Sequence, residues 1–310
     1  MTGRISIGMF LAFFQTTLTI VDTINSLLET FGNFSREIQE LSYLSAFFRL
    51  ENMPVQKGCL DKPVRRIRFE HVCFTYPCSE KEVLHDINFE LDVSQSTAVV
   101  GGNGSGKTTI IKLLCGLYQP TSGRILFDDC DLKNLSSSEI EKVIKVVFQD
   151  FFQYEMTIRE NIGFGNLDRI SHDMELQNVL DAVHLEELKR LGLDTPLGKL
   201  EPAGIDLSRG QWQRLAVSRI FLNDTGFAVL DEPTASVDPV SEYNMYRLFY
   251  SLLKSRGSLM ISHRLASAKM ADHILVLKNG TIAEQGNHTE LMEKQGFYYK
   301  LFCKQAEWYQ

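Results

Sequence analysis

Residues Gly101, Gly102, Asn103, Gly104, Ser105, Gly106, Lys107, Thr108 and Thr109 form the run GGNGSGKTT, which has the spacing of a Walker A phosphate-binding loop. Its glycines let successive backbone N–H groups turn inward on phosphate oxygens, and the helix that follows adds the positive end of its dipole. Lys107 suits the β- and γ-phosphates, and the Thr108 hydroxyl is a hard oxygen of the kind Mg²⁺ takes. A second run, FAVLDEP at 227–233, ends an apolar segment in two carboxylates. Asp231 can hold a magnesium-bound water at a rigid strand end, and Glu232, one residue on, can polarise the attacking water. Just ahead of it, Leu207, Ser208, Arg209, Gly210 and Gln211 spell LSRGQ at a helix start, a place whose dipole favours phosphate. Together the three runs point to a nucleotide hydrolase.

Positioning these groups requires strands that stop at the chemistry. The apolar residues 97–100 read as a buried strand feeding the glycine turn, with helix from 107 to 114. Residues 227–230 and 258–261 read as two further strands. Asn279-Gly280, between strands expected near 274–277 and 281–284, is a strong hairpin signal.

Taken in order, the motifs resemble the nucleotide-binding domain of an ATP-binding cassette (ABC) transporter, from about Arg65 to the C-terminus. By that resemblance Tyr76 in FTYP stacks on adenine; Phe74 is the neighbouring alternative, and either ring also suits a packed strand. Gln149 in VVFQD resembles the Q-loop glutamine that touches Mg²⁺ and reports occupancy. Ser236 and Asp238 resemble the D-loop, and His263 in ISHR the switch histidine that contacts the γ-phosphate. Asp150, Phe151 and Phe152 would line a surface that meets a membrane partner. LSRGQ resembles the signature motif, which reads ATP held on another subunit's Walker A loop; it therefore implies a head-to-tail pair of cassettes, homomeric or heteromeric. Arg209 stands where the family more usually has glycine. The implied fold is an α/β P-loop cassette: a mainly parallel core sheet, an antiparallel β subdomain near 67–93, and a helical subdomain at about 157–193, with helices near 174–183 and 185–191. Residues 195–198 lie where exporters carry a coupling loop, with Pro196 replacing its acidic residue.

The N-terminus carries a different signal. No residue between Arg4 and Asp22 is charged, and Phe10, Leu11, Phe13, Phe14, Leu18 and Ile20 fall there. Seventeen helical residues reach about 26 Å against a hydrocarbon layer of roughly 30 Å. Gln15, Thr16, Thr17 and Thr19 make the segment too polar for a simple lipid anchor and suit a helix lining a polar path. A signal peptide lacks a cleavage site here, and a soluble amphipathic helix is the competing structural reading. The favoured reading is the last membrane helix of an exporter half, running on as one helix through Glu37, Leu41 and Phe48. The domain expectation is then 1–50 as the end of a membrane domain, 51–64 as linker, and 65–310 as the cassette, preceded by a long membrane and coupling helix. Exporter halves have six such helices, so the chain reads as the C-terminal part of one.

The expected function is ATP binding and hydrolysis driving export, with ATP and Mg²⁺ as cofactors, at a membrane with the cassette on the cytoplasmic side. The alternative is a soluble ABC-type ATPase acting on a non-transport partner. A net charge of −7 and a pI near 5.6 argue against nucleic acid as a partner. Six cysteines without a CxxC pair read as reduced thiols.

Overall fold

The computed structural model describes residues 6–49, 60, 62–222, 226–233, 239–253, 256–262 and 265–307. They fall into two units, Met1–Val55 and Gln56–Gln310.

The first unit is a single helix, α1 (Ile7–Phe48), capped by the Ser6 side chain, which accepts from the Met9 amide. Its 42 residues would extend about 63 Å, twice the hydrocarbon thickness. It is long and apolar enough to cross a membrane, with a mean hydropathy of 1.5 over its best window and none of that window buried. The hydroxyls counted above as too polar for lipid are satisfied within the helix. Thr16 donates to Ala12 O at 2.7 Å, Thr17 to Phe13 O at 2.9 Å, Thr19 to Gln15 O at 3.0 Å and Thr23 to Thr19 O at 2.7 Å. Back-bonding of this kind hides the donor from an apolar surrounding.

The second unit contains strands β1 (Arg66–Thr75), β2 (Glu82–Asp92), β3 (Ser96–Gly101), β4 (Ser122–Phe127), β5 (Cys130–Asp131), β6 (Ile144–Val147), β7 (Phe227–Asp231), β8 (Ser258–Ile261), β9 (His273–Lys278) and β10 (Thr281–Gly286). Its helices are α2 (Lys107–Leu114), α3 (Ser137–Val143), α4 (Ile158–Gly163), α5 (Asp173–Ala182), α6 (Glu186–Leu191), α7 (Arg209–Phe221), α8 (Pro239–Leu253), α9 (Leu265–Ala268), α10 (His288–Glu293) and α11 (Phe297–Glu307).

Six strands form the core sheet in the order β10-β9-β3-β8-β7-β6. All neighbours in it are parallel except the β9–β10 hairpin. Residues of β7 and β8 are buried on both faces, as central parallel strands covered by helices must be. Asn279 and Gly280 both take positive φ, 50° and 77°, which is what a two-residue hairpin turn of matching twist requires.

The antiparallel sheet has the order β2-β1-β4-β5. Only half of it comes from the region near 67–93; β4 and β5 arrive from beyond the phosphate-loop helix and complete it through β1. Its inward residues Ile67, Phe69, Leu84 and Phe127 share one apolar core with Ile110, Ile111 and Leu114 of α2. A separate core joins α4, α5 and α6 to α7 through Ile158, Ile162, Leu176, Leu180, Trp212 and Leu215. The helical subdomain is therefore anchored on the helix that carries the LSRGQ run.

Cys73, Cys78, Cys115 and Cys303 are free thiols. Cys130 is disulfide-bonded, so the expectation of six reduced cysteines fails at that position.

Candidate nucleotide site

Three adjacent strands end together. Val99 of β3 is in register with Ile261 of β8, and Ile261 in turn with Asp231 of β7. Beyond the ladder, Ser262 N donates to Val99 O and Glu232 N to Ile261 O. The glycine loop, the carboxylate pair and the turn after β8 thus emerge at one carboxyl edge of the sheet, where open α/β sheets bind ligands. His263 lies outside the described residues, as do Ser236 and Asp238.

The loop is shaped by two glycines. At Gly101 an added Cβ would meet Leu277 O at 2.4 Å, and at Gly106, where φ is 104°, it would meet Leu84 Cδ2 at 2.5 Å. Only glycine lets the loop pass the hairpin and enter α2 this closely. Lys107, 5 % exposed, curls back so that its Nζ donates to Gly101 O and Gly102 O, both at 3.1 Å. Its burial lowers the ammonium pKa, opposed by the nearby charges of Glu232 and Asp231. Ser105 Oγ is buried without a hydrogen-bond partner among the described residues. An orphaned hydroxyl and an ammonium held only by carbonyls fit a loop built to receive an anion.

Thr108 Oγ1 donates to Asp231 Oδ1 at 3.4 Å, which brings the loop and the end of β7 into contact. Asp231 is 1 % exposed. Burial pushes its carboxyl up to about 6, with Glu232 and Asp150 adding to the rise and Thr108 and Lys107 opposing it. One hydroxyl and one carboxylate are the sparse oxygen set that Mg²⁺ combines with phosphate oxygens and water, so the residues present fit that ion. Glu232, at φ 47°, occupies the left-handed region, strain of about 1 kcal/mol for a residue other than glycine. The strain marks the position next to the carboxylate, a common property of functional sites.

Tyr76 is half-buried, set edge-on to Phe74 at 4.8 Å and to Tyr118 at 5.2 Å between ring centroids. Its hydroxyl lies 3.0 Å from Thr109 Oγ1. Phe74 is 2 % exposed and belongs to the core, so of the two rings only Tyr76 is available to a ligand. Gln149 and Asp150 are exposed in the turn after β6.

Ser208 is the N-cap of α7. Its Oγ accepts from the Gln211 amide at 3.3 Å while Gln211 Oε1 accepts from the Ser208 amide at 2.8 Å, a complete capping box. Gln211 is held in turn by Glu187 of α6. Because Ser208 caps by accepting, its own proton remains available to a phosphate oxygen. Arg209 is exposed, Leu207 is buried, and nothing lies within 4 Å of a Cβ built on Gly210. A cleft of about 680 Å³ opens beside Ser208 and Gly210, bounded by His184, Arg214 and α8.

A family model described as ABC transporter matches residues 84–235. The cassette belongs to the ABC transporter family. Over 304 residues the chain is 34% identical to the subtilin transport ATP-binding protein SpaT of Bacillus subtilis, covering 96% of this chain and 50% of that protein. It is 35% identical over 310 residues to the ATP-dependent lipid A-core flippase of Nitrosococcus oceani, covering 97% and 51%. A bacterial Atm1-family ABC exporter solved with ATP bound superposes with a TM-score of 0.75 at 29% identity, covering 86% of this chain and 47% of that one. The chain spans about half the length of the curated relatives it matches.

Within the ABC cassette, α7 carries a contact that no sequence motif marks. Arg219 of α7 donates through Nε to Asn161 O at 3.0 Å and through its NH2 group to Asn161 Oδ1 at 3.1 Å. Its guanidinium also lies 4.8 Å from the Tyr154 ring centroid. Asn161, fully buried, donates to Tyr154 O at 2.9 Å. Helix α7 is thereby tied to the segment that follows Gln149. Pro196 is likewise bound to that segment: it bridges Thr157, and Leu197 N donates to Met156 O. No local pattern announces either link.

Proposed function

We propose that the chain binds and hydrolyses ATP with Mg²⁺ as the nucleotide-binding part of a membrane exporter, two cassettes acting as a pair. Residues 1–50 would form the end of a membrane domain, 51–64 a linker and 65–310 the cassette, lying on the cytoplasmic side. The observation that carries the reading is the contact of Thr108 with Asp231, which joins a phosphate loop to a buried strand-end carboxylate beside Glu232.

Phosphoryl transfer asks chiefly for positioning and for positive charge around the spreading negative charge. The loop amides from Gly102 to Thr109 and the Lys107 ammonium supply that charge; Lys107 would exchange the carbonyls of Gly101 and Gly102 for phosphate oxygens. Thr108 and Asp231 would hold Mg²⁺, with Gln149 beside them, and the ion when bound would neutralise charge on the β- and γ-oxygens. Glu232 would orient and deprotonate water, and His263 would hold the γ-phosphate. Leu207–Gln211 would present the Ser208 hydroxyl and the α7 amides to ATP on the partner cassette, with Ser236 and Asp238 at the same junction.

Glu232→Gln tests this reading. It should leave ATP affinity within about threefold and lower turnover by at least about 100-fold, the scale of a lost general base, measured by calorimetry and phosphate release. Loss of binding together with turnover would remove Glu232 from the proposed role.

A further inference from the structure

The ring assigned to the base and the loop assigned to the phosphates are joined by one hydrogen bond. Tyr76 leaves the end of the antiparallel sheet, and Thr109 stands in the first turn of α2, yet their hydroxyls are 3.0 Å apart. Neither group is free to wander. The Tyr76 ring is wedged edge-on between Phe74 and Tyr118, and Thr109 is 5 % exposed. The phenol therefore points at Thr109 before any ligand arrives.

Resting on the nucleotide reading above, we propose that Tyr76 is a positioning residue for the phosphates as well as a platform for the base. A threonine hydroxyl has one proton and two acceptor sites. With an anion in front of the first turn of α2, its proton is best spent on a phosphate oxygen, which leaves Oγ1 to accept from Tyr76. A phenol is a better donor than an alkanol, so the chain runs Tyr76 O–H to Thr109 O–H to phosphate, each bond polarising the next. Without the phenol, Thr109 is free to rotate its proton toward a backbone carbonyl of the preceding turn, as threonines in helices do.

A platform acting only by stacking would not need the hydroxyl, since phenylalanine offers the same face. Tyr76→Phe therefore separates the two roles, and a ligand without a base makes the separation sharp. The probes are a non-hydrolysable imido analogue of ATP and inorganic tripolyphosphate, each titrated calorimetrically with Mg²⁺ into the full chain in detergent. Tyr76→Phe should raise the dissociation constant of both about 3- to 10-fold, the range for one hydrogen bond. Thr109→Val should do the same. The double variant should be no weaker than Thr109→Val alone, because the phenol acts only through that hydroxyl. Thr109→Ser, which keeps the hydroxyl, should recover most of the binding lost in Thr109→Val, and this guards against reading a packing defect as a lost hydrogen bond.

Unchanged tripolyphosphate binding in Tyr76→Phe would overturn the proposal and leave Tyr76 as a base platform only. Multiplication of the two single effects in the double variant would overturn it as well. Failure of the unaltered chain to bind either probe is a separate result that removes the nucleotide reading and this inference with it.

Discussion

Asp231 shows how burial sets the chemistry of a single carboxyl. It is held at about 6 against an ordinary value of 3.8, so the folded chain keeps this proton while the unfolded chain has already released its own. Raising the pH from 4 to 7 therefore removes stability: the unfolded state binds fewer protons throughout that window. Asp231→Asn lacks the penalty. Without Mg²⁺ and nucleotide it should melt above the unaltered chain at pH 8, with a gain in stability on the order of 3 kcal/mol. The gap should close toward pH 4. Mg²⁺ with nucleotide should reverse the order at pH 8, since the ion supplies the countercharge only where the carboxylate exists. Calorimetric melting at both pH values, with and without the ligands, checks all three outcomes; a variant that melts lower at pH 8 without ligands would contradict the burial account. Residues whose roles depend on neighbours in sequence, such as Lys107 beside Thr108 or Asp231 beside Glu232, were legible because a loop or strand end fixes their spacing. The Tyr76–Thr109 and Arg219–Asn161 bonds were not, because they join residues 33 and 58 positions apart and only tertiary packing decides such pairs.

Helix α7 ties stability and chemistry to one side chain. Ser208 closes the capping box, so Ser208→Ala removes both a cap, worth about 1 kcal/mol, and the hydroxyl proposed above to meet the partner's phosphate. Loss of activity in that variant would not separate the two. Aspartate caps a helix as well as serine does, but it sets a negative charge where, on the proposed function, a phosphate would approach. Ser208→Asp should therefore keep the melting temperature of the unaltered chain and lose most ATPase activity, whereas Ser208→Ala should lose some of each. Full activity in Ser208→Asp would remove Ser208 from the phosphate. Elements of this kind were readable where a local pattern exists: the glycine loop before α2, the LSRGQ start of α7, the Asn279-Gly280 turn. The strands β4 and β5 escaped notice because β5 is two residues long and β4 begins with three exposed residues. Their strand character comes from pairing with β1, not from a pattern of their own.

At the scale of the molecule, the two units call for different surroundings. The cassette has its own cores and a mixed, charged surface, while α1 exposes Phe10, Phe13, Phe14, Leu18 and Ile20 along its first turns. With its threonine hydroxyls bonded back onto the helix, Gln15 is the residue in that stretch whose polar group has most to lose in lipid, and a neighbouring helix would serve it. The full chain should consequently need detergent for extraction, and residues 56–310 alone should be recovered without it; quantitative recovery of the full chain in the soluble fraction would favour the soluble ATPase. Activity then distinguishes a complete site from a half-site. If Ser208 of one cassette completes the phosphate loop of another, turnover per chain at saturating ATP should rise with protein concentration and level off once pairs predominate. Mixing Lys107→Ala chains with Ser208→Asp chains should restore activity, since one of the two composite sites in each mixed pair would keep both Lys107 and Ser208. Turnover per chain that is flat across a 100-fold dilution series down to nanomolar protein, together with no recovery on mixing, would mean that each cassette works alone.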